Sequence, residues 1–216
     1  MPLRPITRLA AIAATIVIIP VTPSVMSNAH PPIPEASVLT SYPDAVHLLH
    51  EMIVNTASAQ GWNVFQALVY HIAMTLQVPY ALATRIIHSA EQVSQTQVQT
   101  LAFWAGSGFG KNFTYALAGA PCELVFATHR AQCFPDQVQA LFPADRDLER
   151  INAQSYLAVP LIRAKMSLIG HIAVLDTVPL TDYNSKLAHL EQFAALIQYL
   201  GPEQLAADAV TITQES

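Results

Sequence analysis

Two thiols offer the most direct chemistry in this chain. Cys122 and Cys133 are its only cysteines, and Cys122 follows Gly119-Ala120-Pro121, a sequence that starts a helix with proline in the first turn. Glu123 then lies near the positive end of the helix dipole. Helix starts lower thiol pKa values, so Cys122 could act as a thiolate. The competing and favoured reading is a pair of small buried residues; a disulfide needs an oxidising compartment. His47 and His50 stand at i and i+3, a spacing able to share a metal ion. Their order is not HExxH and no third ligand is evident, which favours a solvated helix face. Gly106, Gly108 and Gly110 make a loop whose backbone can take positive φ, but a phosphate cradle would also need a following helix and lysine. His171, on an apolar run, reads as a hydrogen-bonded core residue in preference to a pH switch. Asp136, Asp145 and Asp147 read as an acidic, solvated loop that could ring a pocket.

Those residues need a scaffold, and its centre is the stretch 155–176, SYLAVPLIRAKMSLIGHIAVLD. Leu157, Val159 and Leu161 alternate on one face, residues 167–175 are apolar almost throughout, and 163–165 supply a solvated turn: a hairpin. Residues 80–87 and 98–104 read as two further strands, most simply antiparallel, separated by the polar segment 89–97. Residues 113–117 and 130–134 read as short strands, 121–127 as a helix, and 137–150 as a polar crossing with a short helix at 147–151. Long crossings of this kind commonly cover a pocket. Three longer helices complete the plan. Val46, Leu49, Met52 and Ile53 mark the first, with Asp44 placed to cap it. Trp62, Phe65, Leu68, Val69, Ile72, Ala73 and Leu76 stripe the second, which Gln77-Val78-Pro79 ends. Leu187, Leu190, Phe193, Ala194, Ile197 and Leu200 line the third, capped by Thr181 or Asp182 and stopped by Gly201-Pro202. The fold class is therefore α+β: a central antiparallel sheet with helices on one face and pocket-covering loops on the other.

A chain of 216 residues with 52% hydrophobic and 12% charged content suits one ordinary domain plus appendages. Its net charge of −5, with ten lysines and arginines placed singly, gives no basic patch and disfavours a nucleic-acid partner. Residues 1–29 read as a hydrophobic leader, a membrane tether or a signal peptide: Arg4 and Arg8 precede an uncharged run over 9–26, and Ser27-Asn28-Ala29 offers small residues for cleavage. Pro20 and Pro23 weigh against a spanning helix. Residues 30–43 form a proline-rich linker, 44–60 a helical connector, 61–200 the folded domain and 201–216 a flexible tail. The expected placement is cytoplasmic with the leader as tether, export being the other reading.

The motifs Leu117-Ala118-Gly119-Ala120-Pro121-Cys122-Glu123, Phe134-Pro135-Asp136, Phe142-Pro143-Ala144-Asp145, Ser155-Tyr156-Leu157-Ala158-Val159-Pro160-Leu161 and Ile169-Gly170-His171-Ile172-Ala173-Val174-Leu175-Asp176, in this order and spacing, resemble a GAF domain of bacterial sensor kinases and cyclic-dinucleotide enzymes. The likeness covers residues 61–200, with Gln154 where such domains often have Glu and Ala158 where Gly is usual. It implies a non-catalytic sensory or regulatory module that binds a small ligand of unknown identity under the crossing loops and pairs through its terminal helices, as a homodimer. With only 201–216 following, the output is expected from a separate signalling protein. Aromatic walls with a few polar groups suit such a pocket, and the candidates are Trp104, Phe109, Phe113, Tyr115, Cys122, Phe134 and Tyr156. Neither cysteine is followed by the histidine that bilin attachment usually wants. The free-methionine sulfoxide reductases, an enzymatic branch of this fold, keep a cysteine in the crossing that the segment 145–148 lacks, although Cys122 attacking and Cys133 resolving remains a permissible thiol mechanism. A purely structural dimerisation module is the third reading.

Overall fold

The computed structural model describes residues 43–88, 92–163 and 167–201. Two helices open it: α1 (Pro43–Gln60) and α2 (Val64–Leu76). Helix α1 takes Pro43 as its first residue, so Asp44 lies inside the helix and not at its cap. Proline suits this place because its missing N–H would lack an intrahelical partner anyway. The start of α2 is fixed by a capping box that the apolar stripe did not disclose. Asn63 Oδ1 accepts the Gln66 amide and Gln66 Oε1 accepts the Asn63 amide, each at 2.9 Å. Gln77 closes α2 in the left-handed conformation, at φ 53°.

Six strands follow in one antiparallel sheet of order β3-β2-β1-β6-β5-β4. They are β1 (Tyr80–His88), β2 (Gln97–Ala105), β3 (Thr114–Ala116), β4 (Gln132–Phe134), β5 (Ser155–Arg163) and β6 (Ser167–Asp176). The hairpin β5–β6 pairs over its whole length, and β1 joins it through Tyr80↔Leu175 to Ala83↔Ile172. The expected α+β plan with an antiparallel sheet is the observed one. Between β3 and β5 run α3 (Cys122–Thr128), α4 (Val138–Leu141) and α5 (Arg146–Arg150); α4 is an addition to the expected crossing. Helix α6 (Tyr183–Leu200) ends the described chain; Asp182 takes its N-cap position but its side chain makes no capping bond.

Each sheet face buries its own cluster. Helices α1, α2 and α6 cover one with Ile53, Leu68, Ile72, Leu190, Leu196 and Ile197, packed on Ala81, Ala83, Leu157, Val159, Leu161, Ile172 and Val174. On the other, Leu117, Val125, Phe126, Val138 and Leu148 from α3–α5 and the loops pack on Leu82, Val98, Tyr156, Ala158, Ala173 and Leu175. Three irregularities shift side-chain parity along the strands; in one, Ile86↔Val98 is followed by His88↔Gln97, leaving Ile87 extra in β1. Ala83↔Ala102 is followed by Thr84↔Thr100, leaving Leu101 as an extra residue in β2. Leu161↔Gly170 is followed by Ile162↔Leu168, leaving Ile169 extra in β6.

The expected cytoplasmic, membrane-tethered placement requires correction. No helix among the described residues is long and apolar enough to cross a membrane. The run 9–26 that suggested a tether, like residues 1–42 as a whole and 202–216, lies outside the described residues.

Candidate ligand site on the loop face of the sheet

The site grows from one polar residue in an apolar strand. Thr84 sits in β1 where that strand leaves its pairing with β6, and Gly170 opposite makes room: a Cβ there would meet the Thr84 carbonyl oxygen at 2.0 Å. The Thr84 hydroxyl fills in for the missing ladder. It accepts the His171 amide at 3.1 Å and lies 2.7 Å from His171 Nδ1. The His171 carbonyl is 3.2 Å away, a longer alternative for the single hydroxyl proton. The ring is wholly buried against Phe126, and burial lowers its pKa to about 3. A neutral imidazole therefore has one proton to place. If Thr84 donates to Nδ1, that proton is on Nε2 and points to the Tyr115 hydroxyl at 3.5 Å. Tyr115 acts in turn on the Cys122 thiol, opposing part of the rise in pKa that burial gives it. Thr84, His171 and Tyr115 thus form one buried polar chain that runs from the sheet toward Cys122 of α3.

Beside it stands an unsatisfied group. The Tyr156 hydroxyl is buried and has no hydrogen-bond partner. Burial raises its pKa far above 10, with further contributions from Cys122 and Asp145. Asp145 comes from the crossing, where it caps α5 by accepting the Asp147 amide at 3.1 Å, and burial raises its carboxyl. Asp145 also lines a cavity of about 210 Å³ with Gln139, Pro143, Arg146 and Glu149. Asp145 is half-buried at the wall of that recess, which Arg146 and Glu149 share. A second cavity, of about 270 Å³, lies at the opposite layer between the end of α2 and the start of α6, lined by Gln77, Asp182 and Lys186 among others.

Of the sequence candidates, the fold brings Tyr115, Cys122, Phe134 and Tyr156 to the loop face. Phe134 stacks edge-on to Phe142 at 4.7 Å and lies 6.1 Å from Tyr156. Phe113 flanks them through Tyr115 at 5.5 Å. Trp104 and Phe109 are on the helix face, 5.2 Å apart, in an aromatic cluster with Trp62 and Tyr70. The extra residue at Leu101 accounts for this: without it, strict alternation would put Trp104 on the same face as Val98. Thr84, Phe126 and Phe142 were not among the candidates, although a threonine within YALATRII was a readable signal.

The other sequence readings resolve simply. The glycine loop folds back on β2, its amides spent on Ala105 N to Gly108 O, Gly106 N to Pro79 O and Gly110 N to Phe103 O at 2.7–2.9 Å. That leaves no amide cradle of the phosphate-binding kind. His47 pairs with Glu51 at 3.5 Å on an exposed face, and no cluster of His, Cys, Asp and Glu among the described residues could hold a metal. Burial overrides the helix start at Cys122 and pushes its thiol up to about 12; Cys133 rises to about 11. The two also belong to different layers, Cys122 to the loop-face core and Cys133 against the helix-face core.

No curated protein matches the sequence. Among solved structures, the chain is similar to the GAF domain of Acinetobacter phosphoenolpyruvate-protein phosphotransferase, at 14% identity and a TM-score of 0.45 over 71% of this chain and 93% of that one. It is also similar to the bacteriophytochrome RpBphP3 of R. palustris, at 12% identity and a TM-score of 0.49, covering 85% of this chain but 47% of the larger protein. The A. aeolicus nlh2 GAF domain in an inactive state matches at 14% identity and 0.44, over 77% and 98%. The decisive finding is in the sequence itself: the GAF domain model matches residues 63–199, well over half of the chain, and the chain belongs to the GAF domain family.

Proposed function

We propose that this chain is a regulatory domain that binds a small organic ligand on the loop face of its sheet, against Tyr115, Cys122, Phe134 and Tyr156, and acts through a separate protein. The observation that carries the reading is the Tyr156 hydroxyl, buried without a partner beside a polar chain that is otherwise satisfied. Leaving such a group unpaired costs about 1–3 kcal/mol, a cost that a ligand's polar group would relieve. Burial of Cys122 and its separation from Cys133 weigh against a thiol pair as catalyst, because a high-pKa thiol is a poor nucleophile and a resolving thiol must reach the attacking one.

The route outward is a shift in population. A ligand that prefers one arrangement of the crossing 135–154 would change the packing of strands β1 and β6, whose opposite faces carry α2 and α6. The terminal helices α1 and α6 are then the surface for a second copy or an output protein. Native mass spectrometry of the purified full chain, with melting curves across a metabolite panel, tests the reading. A retained small molecule or a ligand-dependent rise in melting temperature, lost in Phe134→Ala, is the expected result; no bound mass and no shift with any compound would overturn it.

A further inference from the structure

The cavity of about 270 Å³ between the end of α2 and the start of α6 has a lining unlike the aromatic residues of the loop face. All of its lining residues except Leu76 are polar. Lys186 and Asp182 bring opposite charges to this one recess, yet among the described residues no ion pair joins them. The Lys186 ammonium donates one proton to the Leu76 carbonyl, which fixes it at the α2 end of the cavity and leaves two N–H donors over. Asp182 stands at the N-cap of α6 but its side chain makes no capping bond, so the carboxylate keeps its acceptor positions. His189 Nδ1 lies 2.8 Å from the Ser185 carbonyl oxygen. A carbonyl only accepts, so the proton is on Nδ1 and the neutral ring keeps Nε2 as an acceptor. The Thr75 and Ser185 hydroxyls and the Gln77 amide add groups that both donate and accept.

This arrangement discriminates by charge. A simple anion drawn to Lys186 would give up water beside Asp182, and a simple cation drawn to Asp182 would give it up beside Lys186. A molecule that carries both charges a few bonds apart meets a partner for each. The volume is that of about nine waters, below the ~300–1,000 Å³ of pockets for drug-sized ligands, and Leu76 is the sole apolar wall. Size and lining therefore call for a small, polar body. We infer that this recess binds a small polar amino acid as its zwitterion, the carboxylate at Lys186 and the ammonium at Asp182, with the Thr75 and Ser185 hydroxyls on the remainder. The site is separate from the loop-face site and does not depend on it. A bound amino acid would bridge α2 to α6 and tie the last helix to the layer that covers the sheet.

Calorimetry and amide NMR of the full chain, titrated with the proteinogenic L-amino acids and then with the amide and the 2-hydroxy acid of the tightest binder, test the site. At least one small polar amino acid should bind and shift the amides of residues 75–77 and 181–189. Its amide, which keeps only the ammonium, and its hydroxy acid, which keeps only the carboxylate, should each bind more weakly by about tenfold or more. Lys186→Gln should erase the preference for acid over amide, and Asp182→Asn the preference for amino over hydroxy acid. A mere loosening of helix packing would weaken every probe alike and leave both preferences in place. The inference is overturned if no amino acid binds, if an analogue lacking one charge binds as well as its parent, or if the shifted amides are those of the loop face. The metabolite panel decides the loop-face reading separately, since the response expected there is lost in Phe134→Ala and kept in Asp182→Asn.

Discussion

Among single residues, Tyr156 makes the sharpest distinction between stability and function. Its hydroxyl is buried and unpaired, so removing it should not cost the apo protein anything. Tyr156→Phe is expected to raise stability by about 1 kcal/mol, read as a higher urea midpoint, while diminishing any ligand-induced shift. A lower midpoint would mean that the hydroxyl has a partner and that the proposed site is built on the wrong group. The buried histidines make a second residue-level prediction. His171, held by Thr84, and His71, 2.8 Å from Thr56 Oγ1 between α1 and α2, have pKa values lowered by burial to about 3 and about 4 from 6.5. The unfolded chain takes up protons below 6.5 where the folded one does not. Their contribution is therefore whole above pH 6.5 and is lost as pH falls from there to about 4 for His71 and about 3 for His171. Each can cost about 1.4 kcal/mol per pH unit inside its window. Asp145 and Glu191, whose carboxyls burial raises, bind protons more readily when folded and offset part of the loss at the acid end. Urea midpoints measured at pH 7, 6 and 5 should fall steeply, and His71→Gln should flatten that fall by about half. An unchanged slope would show that His71 protonates without unfolding.

At the scale of elements, the close approach of β1 to β6 sets a tight tolerance. A methyl group at Gly170 would lie 2.0 Å from the Thr84 carbonyl oxygen and 2.8 Å from its carbon, backbone atoms that cannot swing aside. Gly170→Ala should destabilise by about 2–3 kcal/mol, whereas Gly108→Ala, which meets nothing within 4 Å, should stay within about 0.5 kcal/mol. Equal denaturation midpoints for the two variants would mean that the strands separate there at no cost. These elements also mark how far the sequence could be read. Strands β1, β2, β5 and β6 announce themselves because apolar runs bounded by polar turns have few other solutions, and Leu157, Val159 and Leu161 do share the helix face, as their alternation implies. Bulges leave no comparable mark. One extra residue at Leu101 sends Trp104 to the helices, and nothing in the local composition of β2 distinguishes that outcome from unbroken alternation. Site chemistry was legible only as residue types. Cys122 at a helix start suggests a thiolate until the weight of Leu117, Val125 and Phe126 around it decides for burial, a tertiary fact that no local motif carries.

For the whole molecule, the question is whether an event on one face of the sheet can be felt on the other. Strands β1 and β6 serve both cores: Ala83, Ile172 and Val174 point to the helices, while Leu82, Ala173 and Leu175 point to the loops. Neither layer can lose its packing without loosening strands that the other needs, so the domain should melt as one unit. The aromatic residues make this testable, because both tryptophans, Trp62 and Trp104, lie on the helix face. Leu117, fully buried on the loop face, is the residue to truncate. Leu117→Ala should cost about 2–5 kcal/mol, and tryptophan fluorescence should report that loss with the same midpoint as far-UV circular dichroism, although no tryptophan lies near the mutation. Leu196→Ala, on α6, should shift both signals in parallel by a similar amount. Coincident curves give a ligand on the loop face an energetic path to α2 and α6, since whatever stabilises one layer must then stabilise the other. If Leu117→Ala instead melts the loop face early and leaves the tryptophan transition in place, the layers are independent, and a ligand held under the crossing would have no means of altering the helices through which the domain is proposed to signal.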